Sequence, residues 1–315
     1  MKHPIQGLFI TILLSGCLTV SPWLEKYSYP FYHLAPFKDA CALNEPISRP
    51  ILILPGCNDW CPGIDYFEIG ITKHTNSHVI CVEYAPKIES VFNNMEKMIE
   101  KACKNLEQYH DLLKNGFTLI GLSMGGLVAR GILQICDIGQ YVTKLITLGS
   151  PHMGVAAVPS FEKSTMIELF DKIFKVFAYT NVFQAFVGST NFFKIPEKYN
   201  EFLQAKTFLS VLNNEGLYVD QYRQRTIRLK EFVMVGYSNE TFLQPAETVY
   251  FGFYDTKDSN KVLKFDETRV YKQDLIGLKY LHERGRVYFA VVPGRHQDPD
   301  IAFTEPFKKI VYYCY

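Results

Sequence analysis

The chain has 315 residues, 48% of them hydrophobic, and a formal net charge of +1 at pH 7. This length suffices for one large domain or two small ones around a substantial apolar core. The near-neutral charge, without a basic run, gives no reason to expect nucleic-acid binding and sets that class aside.

The N-terminus is predicted to be an export signal, over about residues 1–20. Lys2 and His3 precede the apolar stretch GLFITILLSG, which has the length of a signal core and is too short to span a bilayer. A buried first strand or helix is one alternative, and a bacterial lipoprotein cleavage box ending at Cys17 is another. An export signal implies the secretory pathway, with a lysosomal or secreted mature chain that has no transmembrane segment.

Export also predicts disulfides. Apart from Cys17, seven of the eight cysteines remain, an odd number, so at least one stays unpaired. The segment CNDWC at residues 57–61 has no second cysteine pair and no nearby histidine, so a zinc site is not expected. The sequon Asn239-Glu240-Thr241 makes Asn239 a candidate glycosylation site.

The main part of the chain alternates short apolar runs with helical patterns. The predicted strands are RPILILPG, HVICVEY (78–84), FTLIG, VTKLITLGSP (142–151), EFVMVGY (231–237) and RVYFAVV. Apolar residues at helical spacing predict a helix over 89–113, and LVARGILQIC predicts another. Short buried strands separated by helices indicate an α/β fold, with a mostly parallel central sheet flanked by helices.

The predicted strand FTLIG runs directly into the segment Gly121-Leu122-Ser123-Met124-Gly125. This segment fits the G-x-S-x-G pattern of a nucleophile elbow, in which a strand turns straight into a helix. Small flanking residues are required because the backbone of the serine is strained. The turn raises the hydroxyl of Ser123 above the sheet edge, beside a helix N-terminus that favours an oxyanion. The alternative is a chance match in which the serine belongs to an ordinary turn.

A nucleophilic serine needs a base and an orienting acid, in the chain order Ser, Asp or Glu, His. Of the histidines that follow Ser123, His152 is suited to shaping the site and His282 lies at a polar helix end. His296 follows the strand RVYFAVV through the turn PGRH, which is where this architecture carries its base. We therefore assign the base to His296, with a solvated loop histidine as the alternative.

The orienting acid is expected at the end of the strand EFVMVGY. Glu240 follows this strand in the segment SNET, whereas Asp255, Asp258 and Asp266 come later in the chain. A carboxylate at this place would hold the imidazole tautomer and stabilise the imidazolium. Glu240 is therefore the candidate acid, and a solvated residue of the sequon is the alternative.

The oxyanion hole requires two backbone N–H donors. Met124, directly after the nucleophile, is expected to supply one of them. Cys57 is expected to supply the other, from the loop LPGCND after the first strand, where Gly56 lets the chain turn. A nucleophilic role for Cys57 is less favoured, because no histidine is placed to serve it.

The chain resembles the palmitoyl-protein thioesterases, lysosomal α/β-hydrolases that remove fatty acyl groups from protein cysteines. The most specific match is FGFYD followed by DLIGLKYL. By this resemblance the triad falls on Ser123, Glu240 and His296, and Cys103 and Cys136 form a disulfide. The matching stretches run in order from about residue 50 to 300: GLSMGGLVARGILQIC, SPHMGV, FLSVLNNE, FVMVGYSNET, YFGFYD and YKQDLIGLKYLHERGRVYFAVVPGRHQ.

Two positions depart from the family pattern. The family usually has Asp where this chain has Glu240, and His-Gly where this chain has Pro55-Gly56, so the acid and the oxyanion loop are expected to differ in detail. The resemblance implies an α/β-hydrolase domain over residues 21–315 that acts as a monomer and requires no metal or cofactor. It implies S-palmitoylated proteins or peptides as substrates, with palmitoyl-CoA as a further candidate.

A helical cap insertion is expected around residues 155–225. The segment MIELFDKIFKVFAY shows helical patterning, and residues 160–219 are rich in phenylalanine. Part of this set must form the core of the cap, while a C16 chain needs a long apolar trench. The candidates for the acyl groove are Phe170, Phe174, Phe177, Phe183, Phe186 and Phe192.

Two other functions stay open at this point. A lipase or carboxylesterase would use the same triad on an oxygen ester. A non-catalytic lipid-binding descendant would keep the trench and lose the chemistry, and the Glu at the acid position is compatible with that outcome.

Overall fold

The computed structural model describes residues 49–298, apart from Asn76 and residues 161–164. The predicted signal peptide and Cys17 lie outside the described residues. Within the described part, none of the helices combines the length and the apolar character needed to cross a membrane.

A parallel six-stranded sheet forms the centre of the fold. The strands of the described residues, including two that lie outside this sheet, are β1 (Ile51–Leu54), β2 (Val79–Cys81), β3 (Phe117–Leu122), β4 (Val142–Leu148), β5 (Glu231–Asn239), β6 (Phe253–Tyr254), β7 (Val262–Leu263) and β8 (Val287–Arg295). The sheet order is β2-β1-β3-β4-β5-β8, and β6 and β7 form a separate antiparallel pair. All five pairings in the main sheet are parallel, so the predicted α/β-hydrolase architecture is confirmed.

Helices cover both faces of this sheet. They are α1 (Asp65–Thr75), α2 (Ile88–Phe92), α3 (Met95–Glu107), α4 (His110–Leu113), α5 (Met124–Ile135), α6 (Thr165–Phe177), α7 (Asn181–Phe186), α8 (Tyr199–Gln204), α9 (Phe208–Leu212), α10 (Asp220–Thr226), α11 (Arg269–Lys272) and α12 (Leu278–Glu283). Alternate strand residues point to opposite faces. Leu52 and Leu119 pack with α3 and α5 on one face, and Ile53 and Ile120 pack with α1 on the other.

The single helix predicted over 89–113 is instead three helices, α2 to α4. The first interruption of the helix is at Asn93 and Asn94. The side chain of Asn94 caps α3 by accepting the N–H of Glu96 at 2.7 Å. A second cap comes from the region after β4, because Asn191 Oδ1 accepts the N–H of Met95 at 2.9 Å. The asparagines therefore end one helix and start the next within a continuous apolar pattern.

Two strands run further than predicted. β5 continues to Asn239, and β8 continues through Pro293 and Gly294 to Arg295, where a turn was expected. Pro293 is tolerated because β8 is an edge strand of the sheet in the part of the chain that the structure describes, where no outer strand needs its missing N–H. His296 therefore follows a strand end directly, and a longer loop does not carry it.

Two disulfides fasten the elements beside the sheet. Cys103 on α3 is joined to Cys136 at the end of α5, the pair implied by the family resemblance. Cys61 is joined to Cys81 at the end of β2, a pairing the sequence did not indicate. The second bridge ties the loop after β1 to its neighbouring strand.

The region between β4 and β5 forms helices α6 to α10. Its start is tied to its middle by Val155, which bridges Phe193 in parallel fashion and accepts the N–H of Lys194 at 2.8 Å. Phe174 of α6 and Phe202 of α8 are fully buried. Part of the phenylalanine content thus forms the core of this region, as the sequence required.

Candidate active site

Ser123 lies at the turn between β3 and α5. Its φ of 50° and ψ of −121° place the backbone in a region that L-residues rarely adopt. The turn is held to the neighbouring strand because the N–H of Ser123 donates to the carbonyl of Leu148 at 2.7 Å. The hydroxyl therefore sits at the carboxyl end of the sheet, where the strained turn presents it.

The two glycines of the elbow are required by close backbone contacts. A Cβ on Gly121 would lie 2.4 Å from the Cα of Gly126, and a Cβ on Gly125 would lie 2.3 Å from the carbonyl oxygen of Pro55. Real Cβ atoms essentially never approach so closely. The G-x-S-x-G pattern thus reflects contact of the elbow with its own helix and with the loop after β1.

His296 reaches the serine from the end of β8. Its Nε2 lies 2.8 Å from the Oγ of Ser123. The ring stacks on Phe242, with centroids 4.8 Å apart, and packs edge-on against Tyr237 at 5.6 Å. Both partners of this hydrogen bond are at least 95% buried, because Ser123 is 5% exposed and His296 is 4% exposed.

Glu240 completes the arrangement from the end of β5. Its Oε2 lies 2.6 Å from Nδ1 of His296. Its Oε1 accepts the backbone N–H groups of Phe242 at 3.0 Å and of Leu243 at 3.1 Å. Because an ionised carboxylate accepts only, Nδ1 carries the proton and Nε2 is left to accept the proton of Ser123. Glu240 is 4% exposed, so it is not a solvated residue of the sequon.

The later carboxylates are engaged elsewhere. Asp255 Oδ1 accepts the N–H of Lys257 at 3.0 Å, and Asp258 Oδ1 accepts the N–H of Asn260 at 3.1 Å. Both side chains thus stabilise turns of their own loop. Asp266 is exposed on a short 3₁₀ segment, Phe265–Glu267.

Cys57 and Met124, the expected oxyanion donors, line the same cavity as Ser123. Met124 is the first residue of α5, where backbone N–H groups have no partner within the helix. The loop that carries Cys57 is held by Tyr84, whose buried hydroxyl donates to the carbonyl of Pro55 at 2.6 Å. Burial raises the pKa of Tyr84 well above 10, so this donor keeps its proton. Tyr84 could not be recognised as part of the site from the sequence.

Gln297, directly after the histidine, packs against the same loop. A Cβ on Gly56 would lie 2.0 Å from its Nε2, so a larger residue at position 56 would displace the end of this side chain. That buried Nε2 has no hydrogen-bond partner among the described residues. The loop after β1 is therefore bounded by Tyr84 on one side and by Gln297 on the other.

An apolar cavity opens beside Ser123, with an empty volume of about 620 Å³ counted with its mouth. Its lining is predominantly apolar, as in most ligand pockets. Of the six phenylalanines expected in the groove, Phe174 and Phe192 line it. Seven apolar wall residues were not among the expected site residues: Val91, Pro151, Val158, Pro159, Phe193, Phe242 and Leu243.

The other four phenylalanines lie outside the cavity wall. Phe170 is 5% exposed, and Phe183 packs edge-on against Phe174 at 5.8 Å, so both belong to the cap core. Phe177 and Phe186 are 45% and 65% exposed. None of these four lines this cavity, because helical spacing identifies an apolar face without telling which partner it meets, and their place in an acyl groove stays a prediction.

Asn239 is the last residue of β5, and its side chain is exposed. Its neighbour Glu240 points inward to His296. A surface asparagine and a buried carboxylate thus stand next to each other within one sequon. The position is accessible, and glycosylation there stays a prediction.

His152 and Arg130 are buried and lie next to each other, since Nη1 of Arg130 donates to the carbonyl of His152 at 3.3 Å. Nε2 of His152 lies 2.8 Å from the hydroxyl of Thr147 on β4, and its ring stacks on Phe251 at 4.6 Å. Burial, with the nearby charge of Arg130, holds the pKa of His152 well below 6.5, so the ring is neutral. Burial also lowers the pKa of Arg130 to about 9. Both side chains are structural, and neither contacts Ser123 in the described hydrogen-bond network.

The fold and the site together define a class. A parallel sheet with a strained serine between strand and helix, and with His and Glu on later strand ends, is the arrangement of the α/β-hydrolases. The family model of palmitoyl protein thioesterases matches residues 50–296. The chain therefore belongs to the palmitoyl protein thioesterase family.

Individual relatives agree with this assignment. Palmitoyl-protein thioesterase 1 of Caenorhabditis elegans is 30% identical over 206 residues, covering 65% of this chain and 68% of that protein. Palmitoyl-protein thioesterase 3 of Dictyostelium discoideum is 26% identical, with coverages of 82% and 89%. Lysosomal thioesterase PPT2-B of Xenopus laevis is 26% identical, with coverages of 81% and 88%. Among solved structures, an esterase of Pyrococcus furiosus aligns at 12% identity and a TM-score of 0.44, covering 84% of this chain and 82% of that one.

Proposed function

We propose that the protein is a thioester hydrolase that removes palmitoyl and similar long acyl groups from the cysteines of S-acylated proteins. The observation that carries the proposal is the continuous Ser123–His296–Glu240 hydrogen-bond chain at the wall of an apolar cavity. Membership of the palmitoyl protein thioesterase family supports the choice of a thioester over other acyl substrates.

The catalytic cycle follows from the protonation states of the triad. Nε2 of His296 accepts the proton of Ser123 while Oγ attacks the thioester carbonyl carbon, and Glu240 stabilises the resulting imidazolium. The backbone N–H groups of Cys57 and Met124 hold the oxyanion of the tetrahedral intermediate. The carbon–sulfur bond then breaks, and the leaving sulfur takes the proton from Nε2 of His296, in the same step or directly after it departs as thiolate, since the pKa of cysteine is about 8.5. His296 is then neutral again.

The acyl-serine is hydrolysed by the same groups in reverse roles. Nε2 of His296 accepts a proton from water, the hydroxide adds to the ester carbonyl, and the proton returns to Oγ of Ser123 as the fatty acid leaves. The cavity holds the acyl chain during both steps, because each CH₂ that is buried from water contributes about 0.8 kcal/mol of favourable free energy. Its lining is predominantly apolar, including Phe174, Phe192 and Phe193.

The same proposal covers partners and location. S-palmitoylated proteins or peptides are the substrates, palmitoyl-CoA is a further one, and the chain acts as a monomer. A lysosomal or secreted location is supported by the name of the Xenopus relative and by two disulfides, which persist in oxidising compartments.

The decisive experiment measures acyl release from a palmitoylated peptide by the wild type and by Ser123→Ala. A parallel assay uses the matched oxygen ester. The wild type should release palmitate from the thioester faster than from the oxygen ester, and Ser123→Ala should be inactive with unchanged thermal stability. Preference for the oxygen ester would favour a lipase, and undiminished turnover by Ser123→Ala would remove the serine as nucleophile. A fluorophosphonate probe that fails to label the wild type would indicate a non-catalytic descendant.

A further inference from the structure

The outer surface of α6 and α7 carries exposed apolar side chains, here called the cap patch. The cap patch consists of Leu169, Val176 and Phe177 on α6 and Val182 and Phe186 on α7, which are 53%, 62%, 45%, 66% and 65% exposed. Single exposed apolar residues are normal on soluble proteins, whereas a contiguous group of them marks an interaction site.

The members of the cap patch form one surface. Within each helix they include residues spaced by four or seven positions, which lie on a common helix face. The two helices pack against each other, because the ring of Phe177 stacks on Phe183 of α7 with centroids 5.6 Å apart. The connection between the helices is only three residues, 178–180.

The cap patch is also continuous with the cavity of Ser123. Phe183, which supports the exposed ring of Phe177, packs edge-on against Phe174 at 5.8 Å, and Phe174 contacts Phe193 at 5.9 Å. Phe174 and Phe193 line the cavity. A row of aromatic rings thus leads from the protein surface to the wall beside the nucleophile.

Composition favours lipid over protein as the partner. The cap patch contains only aliphatic and phenylalanine side chains, without the Trp, Tyr and Arg that dominate protein interfaces. The charged residues of α6 balance, since Glu168 and Asp171 oppose Lys172 and Lys175, and Lys175 is paired with Asp171 at 2.7 Å. A helix without net charge is not attracted to anionic lipids, so a zwitterionic lipid surface is the better match.

We infer that the cap patch docks on a fluid zwitterionic lipid bilayer and receives the acyl chain of the substrate from it. This inference rests on the proposed function. A C16 chain attached to a protein stays in a bilayer because each CH₂ is costly to expose to water. Docking of the cap patch keeps the cavity beside Ser123 close to the bilayer, because Phe174 and Phe193 of its wall pack beneath Phe183 and Phe177.

Binding is tested by co-sedimentation with phosphatidylcholine vesicles. The test variant is the triple substitution Leu169→Gln, Val176→Gln and Val182→Gln, because Gln is polar, uncharged and a good helix former. Ile69→Gln on α1 is the matched control, since Ile69 is 61% exposed on a helix that packs against the opposite sheet face. The wild type and Ile69→Gln should bind alike, and the triple variant should bind about tenfold more weakly or worse.

Two activity assays separate this inference from the proposed function. On a soluble acetyl thioester the triple variant should match the wild type. On a palmitoylated peptide in the same vesicles its rate should fall about tenfold. Equal thermal midpoints of all variants exclude a folding defect.

Three results would overturn the inference. These are no vesicle binding by the wild type, equal binding by the triple variant, and concentration-dependent dimers of the wild type that the triple variant loses. A wild type that binds vesicles through the cap patch but hydrolyses neither thioester would refute the proposed function and leave the docking surface standing.

Discussion

At the scale of single residues, Glu240 contacts the histidine that faces the nucleophile, so the chemistry is sensitive to its side chain. Oε2 accepts from Nδ1 of His296, and Oε1 accepts from the N–H groups of Phe242 and Leu243. Glutamine carries only one acceptor oxygen, so in either orientation its NH₂ group would face a donor. We expect Glu240→Gln to lower kcat by up to about 10⁴, measured as palmitate release from a thioester peptide.

Two further variants make this prediction specific. Glu240→Asp should fall between the wild type and Glu240→Gln, because it keeps the carboxylate but shortens the reach to His296. Asp255→Asn should retain full activity, since Asp255 caps the turn at Lys257. The assignment of the acid is wrong if Glu240→Gln is nearly neutral while Asp255→Asn is inactive.

At the scale of structural elements, the elbow depends on space for its glycines. A Cβ on Gly125 would meet the carbonyl oxygen of Pro55 at 2.3 Å, so alanine must displace the loop that carries Cys57 or the start of α5. Displacement of catalytic groups by about 1 Å costs about 10² in rate. We expect Gly125→Ala to lose at least about 10²-fold in kcat/KM and about 1–3 kcal/mol of stability.

Gly216→Ala is the matched control for the elbow glycine. A Cβ there would lie 3.5 Å from the nearest atom, the carbonyl oxygen of Leu203, which is ordinary van der Waals contact. Its kinetics and its urea midpoint should stay close to those of the wild type. Wild-type kinetics in Gly125→Ala would show that the two elements do not constrain the nucleophile.

The disulfide between α3 and α5 gives a second prediction at this scale. The bridge closes a chain separation of 33 residues between Cys103 and Cys136, and it lies at the end of α5 away from Ser123. Replacing both cysteines by alanine should lower the free energy of unfolding by about 2–4 kcal/mol in urea titrations, while kcat at low temperature is retained. Free alkylation of either cysteine in the unreduced wild type would contradict this bridge.

At the scale of the whole molecule, what could be predicted from the sequence follows from local physics. Uniformly apolar strand runs gave the parallel sheet, and the strained turn at Ser123 requires small neighbours that are visible in the sequence. The break at Asn94 was missed because its second support, the contact between Asn191 and Met95, joins residues 96 positions apart. The pairing of Cys61 with Cys81 depends in the same way on which strands become neighbours.

The lining of the cavity shows the same limit. Phe174 and Phe177 lie three residues apart on one apolar helix, yet one lines the cavity and the other is 45% exposed. Their different exposure depends on how α6 is rotated against Phe193 and Phe183, and the spacing of apolar residues in the sequence does not determine this rotation. Sequence therefore predicts which residues are apolar, and packing alone decides which of them meet the substrate.

The response of the whole molecule to acid is governed in part by His152, whose pKa is held well below 6.5 by burial and by Arg130. In the unfolded chain this histidine gains a proton as the pH falls through about 6.5. In the folded protein it stays neutral until the pH reaches the lower pKa of the folded state. The unfolded state binds more protons in that window, so stability falls with falling pH by up to about 1.4 kcal/mol per unit. The two disulfides contribute a stabilisation that does not depend on pH in this window.

His152→Phe tests this coupling, because phenylalanine keeps the stacking on Phe251 and cannot be protonated. At pH 7.5 the variant should be less stable by about 1 kcal/mol, from loss of the hydrogen bond to Thr147. Between pH 6.5 and 5 its stability should decline less steeply than that of the wild type. The difference in free energy of unfolding between the two proteins should therefore become smaller or change sign. His282→Gln, at an exposed histidine, should keep the wild-type slope. Urea titrations at pH 7.5, 6.5, 5.75 and 5 measure the slopes, and equal slopes for His152→Phe and wild type would show that His152 does not set the acid response.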